Sequence, residues 1–179
     1  MSEHAPRRPY LFLLVAVVFL DQVTKWFVDR VMDLHESRVL VEGLVSLTYV
    51  QNRGAAFGVF SDAQLPYQSI LFSLVSIAAL GGIAAYAWRL PAASRLPQTA
   101  LALIMGGALG NLLDRARLGH VVDFVDVYWN AHHWPAFNVA DSAITIGVCL
   151  LILDMVLSPE AGETTAGAEV SASPLAGSE

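Results

Sequence analysis

Residues 106–144 read GGALGNLLDRARLGHVVDFVDVYWNAHHWPAFNVADSAI. The stretch leaves one strongly apolar segment and enters another. It places Asp114, Asp123, Asp126 and Asp141 at or between the ends of the two. Carboxylates at the boundary of a hydrocarbon layer are expensive and are kept for a reason. Asp123 and Asp141 read as a pair able to do chemistry, with the rest of the chain holding them in place.

The composition agrees with a membrane setting. The chain has 179 residues, of which 55% are hydrophobic and 15% charged, fewer charges than a soluble domain of this size carries. This length predicts one domain, residues 1–157, followed by an acidic tail, 158–179. The tail holds Glu160, Glu163, Glu169 and Glu179, no base and two prolines, and reads as disordered. A formal net charge of -6 argues against a nucleic-acid partner. Cys149 lies alone in an apolar run and reads as a packing residue.

Outward from the opening stretch, four apolar spans follow. The third covers roughly 96–114, and the fourth runs from near Pro135 to about Leu157, uncharged from Ser142 to Leu153. Gly106 and Gly110 in the third span permit a close helix approach. The second, Ser69 to Trp88, is uncharged throughout and long enough to cross a bilayer. The first, 9–29, follows Arg7 and Arg8. No small-residue cleavage site ends it, so it reads as a helix that stays rather than a removed leader. Asp21 and Lys25, four apart, share a face of that helix and can pair. Between the first two spans, residues 37–50 are rich in Val, Leu, Thr and Tyr, which predicts strands broken at Gly43. Residues 53–62, with Gly54 and Gly58 among apolar neighbours, predict a segment lying on the membrane surface.

Arg7, Arg8, Arg89 and Arg95 flank one side of this topology, which places both termini in the cytoplasm. The other side also carries arginines, but they sit among acids. At 1.5 Å per residue, Lys25 lies about 24 Å from Pro9, Asp114 about 27 Å from Leu96 and Asp141 about 9 Å from Pro135. Asp123 falls in the loop joining spans three and four. Separate segments thus bring polar groups to one depth, near the outer face.

Blander roles fit several neighbours. Asp126 reads as a loop or supporting carboxylate, Asp114-Arg115 as an interfacial ion pair, and Asn111 as a hydrogen-bonding group of the bundle. His132 and His133 with Asp126 are weak grounds for a metal, and neither HExxH nor a cysteine pair supports one. Ser142 lacks the surroundings of a serine nucleophile. Two carboxylates in a poorly solvated site share one proton. The ionised member then takes a proton from water while the protonated one polarises a carbonyl. Proton-coupled transport also uses intramembrane carboxylates, but needs polar groups through both leaflets. Here the inner halves of spans two and three are nearly all apolar. A purely structural subunit leaves the convergence of Asp114, Asp123 and Asp141 without a purpose.

DQVTK at 21–25, NRGAAFG at 52–58, GNLLDR at 110–115, VVDFVD at 121–126 and FNVADSAI at 137–144 occur in this order across most of residues 9–157. In these blocks the chain resembles the bacterial lipoprotein signal peptidases (type II signal peptidases), which are membrane aspartyl proteases. The resemblance implies a mainly α membrane protein: four transmembrane helices, a small outer β-cradle and a surface amphipathic helix. It implies Asp123 and Asp141 as the catalytic aspartates. Asp21, Lys25, Asn52, Gly54, Asn111, Asp114, Arg115 and Asn138 would shape and support the site. It also implies cleavage of diacylglyceryl-modified prolipoproteins before the lipidated cysteine, in the bacterial inner membrane among its lipids. The resemblance further implies inhibition by globomycin, and the lack of a recognisable ligand cluster predicts that no metal or other cofactor takes part.

Overall fold

The computed structural model describes residues 7–54 and 67–157. Four helices, α1 (Arg8–Val31), α2 (Gln68–Arg89), α3 (Arg95–Leu118) and α4 (Val139–Leu157), are each long and apolar enough to cross a membrane. Hydrocarbon offers no partner to a backbone amide, so apolar runs of this length must close their hydrogen bonds within a helix. The protein is a membrane protein, mainly helical, with a small antiparallel sheet.

α3 is the hub. It packs against α1, α2 and α4, and buries residues from Gln98 to Asp114. Small residues set the spacing. A β-carbon on Gly106 would meet Val17 and the Leu14 carbonyl of α1, and one on Gly107 would meet the Ala140 carbonyl of α4. On α4, Gly147 lies equally close to Ile104 and the Ala100 carbonyl of α3. Helices in lipid associate through such contacts, since lipid tails are as apolar as the side chains. At the far end from the aspartates, Arg7 closes the bundle. Its Nη2 donates to the carbonyls of Trp88 (2.8 Å) and Leu90 (3.1 Å).

The strands are β1 (Ser37–Val41), β2 (Val45–Asn52), β3 (Val121–Trp129) and β4 (His132–His133), in that order across one sheet. Gly43, at φ +75°, turns β1 into β2, the break expected from the sequence. Val28 and Met32 of α1 form a core with Tyr49, Val122 and Phe124 of the sheet. The Tyr49 hydroxyl donates to Asp29 Oδ1 at 2.6 Å, fastening sheet to helix.

Two expectations change. Residues 121–129 form a central strand, so Asp123 and Asp126 stand on β3 and not in a loop. The strand is buried along most of its length, so it reads as a nearly continuous apolar run with little alternation. α4 begins at Val139, because Phe137 is still paired with Val125 of β3. Asp141 therefore sits in the first turn of α4 and not deeper within it. The surface segment expected at 53–62 falls, from residue 55, outside the described residues, as does the tail at 158–179.

The glycine contacts yield a contrast of sign. Gly107→Ala drives a methyl into the Ala140 backbone and should destabilise by about 1–3 kcal/mol. Gly81→Ala on α2 meets nothing within 4 Å and should stabilise by about 0.5–1 kcal/mol. Thermal unfolding of the two variants in detergent checks the opposite signs.

Candidate active site

The site is assembled from α1, β2, α3, β3 and α4 around the Lys25 ammonium. Lys25 Nζ lies 2.9 Å from Asp21 Oδ2 and 2.9 Å from Asp114 Oδ2, and donates to Asn111 Oδ1 at 2.8 Å. Lys25, Asp21 and Asp114 are all buried. The Asp21–Lys25 pairing follows the expectation from their spacing. The expected Asp114–Arg115 pair does not form, because Asp114 turns inward to Lys25. Each partner of Lys25 holds a further element. Asp21 Oδ1 accepts from the Ala140 amide of α4 (2.9 Å), and Asp114 Oδ2 from the Val122 amide of β3 (3.2 Å). Asn111 Nδ2 donates to Asp141 Oδ1 (2.8 Å). The bundle role expected for Asn111 is thus present.

Asn138 stands immediately before α4 and forms a reciprocal cap with Asp141. The Asp141 amide donates to Asn138 Oδ1 (2.9 Å), and the Asn138 amide donates to Asp141 Oδ2 (3.2 Å). This arrangement satisfies two otherwise orphaned amides and fixes the Asp141 rotamer. Asn138 Nδ2 also donates to Asp123 Oδ1 at 2.7 Å. One buried asparagine therefore touches both aspartates. The second Asp123 oxygen accepts from Asn52 Nδ2 at 3.0 Å, and the Gly54 amide donates to Asn52 Oδ1 at 2.8 Å. Gly54 has φ +124°, and a β-carbon there would enter the Phe72 ring of α2, so only glycine fits.

Asp123 is 2% exposed, and its carboxyl is pushed up to about 7. Burial is the main cause and the charge of Asp141 the second. The amides of Asn52 and Asn138 and the charge of Lys25 pull the other way. Asp123 and Asp141 share a cleft of about 650 Å³, lined also by Phe72, Arg115, Phe137 and Thr145. It lies between α2 and α4. Arg115 Nη1 donates to the Asn111 carbonyl at 3.4 Å, and its buried Nε has no hydrogen-bond partner among the described residues.

The ten residues singled out from the sequence thus meet in one connected region. Gln22 was missed. Its Nε2 donates to Asp114 Oδ1 (2.8 Å) and the Gly110 carbonyl (3.2 Å), so it braces the Lys25 cluster. Its place beside Asp21, three residues before Lys25, was the available signal. Phe72 was missed as well, since nothing distinguishes it within an apolar span. Asp126 is set apart from this cluster, 3.0 Å from His133 Nδ1. Among the described residues no group of three His, Cys, Asp or Glu side chains is placed to hold a metal ion.

The chain is similar to known proteins along most of its length. The family described as signal peptidase (SPase) II matches residues 13–157. A lipoprotein signal peptidase of Geobacter sulfurreducens is 53% identical over 144 residues, covering 80% of this chain and 89% of that protein. One from Pseudomonas aeruginosa is 43% identical over 162 residues, covering 90% and 95%. A bacterial membrane enzyme solved by the in meso method at 2.3 Å superposes with a TM-score of 0.77 at 31% identity, covering 87% of this chain and 92% of that one. With its four membrane-crossing helices and this match along most of its length, the chain belongs to the signal peptidase II family and is a membrane-integral peptidase.

Proposed function

We propose that this peptidase is an aspartyl endopeptidase. It removes signal peptides from diacylglyceryl-modified prolipoproteins by cutting before the lipidated cysteine, with Asp123 and Asp141 as its catalytic residues. The observation that carries the reading is the pair itself. Two carboxylates from different elements line one cleft, and the buried one holds its proton near neutral pH. The pair shares a single proton, carried by Asp123 in the resting state. Asp141 takes a proton from a water in the cleft, and the hydroxide attacks the scissile carbonyl carbon. Asp123 gives its proton to the carbonyl oxygen. The tetrahedral diol collapses as its proton returns to Asp123, and Asp141 protonates the leaving amine. No metal or covalent intermediate is needed.

The substrate brings its own positioning. Its signal helix lies in the bilayer, and each buried acyl methylene contributes about 0.8 kcal/mol remote from the reacting bond. A cleft between α2 and α4, walled by Phe72 and Thr145, suits an entering helix. Globomycin is expected to occupy the same cleft and block it. Residues 1–157 form one domain in this reading, followed by the acidic tail. The protein sits in the bacterial inner membrane, with both termini cytoplasmic and the site near the outer face. The Arg7, Arg89 and Arg95 end of the bundle supports this orientation. Reporter fusions after Leu90 and after Ser158 should read cytoplasmic, and a fusion at Asp62 should read outside. The reverse pattern would overturn the orientation.

Asp123→Asn and Asp141→Asn should each abolish cleavage of a lipidated substrate at matched protein level. The double variant should be little worse than either single one, because the two act as a unit. Asp126→Asn should retain most activity. A near-normal rate for either single variant would remove the dyad.

The pH dependence follows from Asp123. Loss of its proton should lower kcat/KM as pH rises through about 7. The stability sign is set by the same shift. The folded carboxyl sits above its ordinary value of 3.8, so the folded state binds the proton more tightly than the unfolded state. Stability therefore falls as pH rises from about 4 towards 7. Asp123→Asn removes that loss, so its unfolding midpoint should gain on the parent protein between pH 5 and pH 8 (on the order of degrees).

A further inference from the structure

A second concavity lies on the other side of α3, outside the catalytic cleft. It is a groove of about 340 Å³ between α1 and α3, lined by Leu14, Val15, Val18, Phe19, Gln22 and Leu109. Gln22 is its only polar lining residue and stands at the end nearest the aspartates. Gln22 Oε1 accepts from Arg117 Nη1 at 3.2 Å, which places an exposed guanidinium at that end of the groove.

We propose that this groove binds one acyl chain of an anionic phospholipid from the surrounding bilayer, with its phosphate on Arg117. Length favours a lipid. Leu14 to Gln22 spans about 12 Å of helix axis. One leaflet of hydrocarbon is about 15 Å deep, whereas a partner helix crosses the full 30 Å or so. Charge sets the class of lipid. The guanidinium presents its donors in a planar fork suited to phosphate, and the groove wall below it is apolar. The one hydrogen bond that the described residues give Arg117 runs from Nη1 to Gln22, so its remaining donors can take a head group while that bond stays in place. Asp114 and Asp21, the acids that Gln22 also touches, are both paired with Lys25.

The position gives the lipid a consequence. Gln22 is shared: one end meets Arg117, and the other holds Asp114 Oδ1 at 2.8 Å. A phosphate that orders Arg117 also orders the residue bracing the Lys25 cluster. The bound lipid is therefore a stabilising ligand of the bundle, at a site none of whose lining residues lines the catalytic cleft.

The test uses the full chain in neutral detergent, with phosphatidylglycerol carrying a diazirine in one acyl chain. After irradiation and digestion, adducts should concentrate on the segments holding Leu14–Gln22 and Leu109, over the more exposed face of α2 at Ile70–Ile77. The matching phosphatidylcholine probe should label the groove several-fold less. Arg117→Gln should remove that preference, and Val18→Trp, which fills the groove, should remove labelling by both probes. Unlabelled phosphatidylglycerol should raise the unfolding midpoint of the parent protein and not that of Arg117→Gln, a surface change that leaves the core intact. Adducts spread evenly over α2 and the groove, or equal labelling by the two lipids, would overturn the proposal. So would disulfide capture of a second copy through Val15→Cys, which would assign the groove to a helix partner.

Discussion

The Lys25 ammonium is the fixed point of this structure. A buried cation costs several kcal/mol unless its donors are all met. Here its three donors meet Asp21, Asp114 and Asn111, each within 2.9 Å. Each acceptor has a second task. Asp21 receives the amide of Ala140, Asp114 that of Val122, and Asn111 donates to Asp141. One charge buried in α1 thus sets the start of α4, the start of β3 and one oxygen of a site aspartate. Removing one partner from such a cluster leaves uncompensated charge in a low-dielectric interior, a loss of about 3–5 kcal/mol. That cost makes the arrangement all-or-none, and all-or-none is what a site of fixed geometry requires.

Around this fixed point the two aspartates differ in surroundings. Asp123 is held on a strand, nearly sealed, between the side-chain amides of Asn52 and Asn138. Asp141 is half-buried at the head of α4, where the amide ends of the first turn favour negative charge. The two carboxyls thus differ in burial and in the element that carries them. Asn138 keeps them in register, since it caps α4 through Asp141 and reaches Asp123 with its side-chain nitrogen.

Rigidity is unevenly distributed. α1, α3 and α4 are locked by glycine contacts and the ionic cluster, whereas α2 buries none of its residues. The cleft opens along this less constrained helix. Its contacts at the site end include Phe72, which lies under Gly54 and 5.8 Å from the Arg115 guanidinium. A wall with few buried contacts costs little to displace. In the proposed function, this wall would let a signal helix reach the rigidly held carboxylates from the side.

Much of this was legible in the chain itself. Four apolar runs must become helices in hydrocarbon, and counting residues brings Lys25, Asp114 and Asp141 to one depth, because helix rise is constant. The five motif blocks carried the family, and the ten residues singled out with them meet in one region of the structure. The strand at Val121–Trp129 was not legible, since burial erases the alternation by which strands are read. Nor was the partner of Asp114, where the adjacent Arg115 is the obvious choice in sequence and Lys25 is nearer in space. The reciprocal cap of Asn138 and Asp141 depends on where α4 begins, and the pairing of Phe137 with Val125 decides that. Sequence determines which groups must be buried and at what depth, because transfer into hydrocarbon depends on each residue alone. Which buried group meets which depends on contacts between segments distant in the chain, and only the packed structure supplies those.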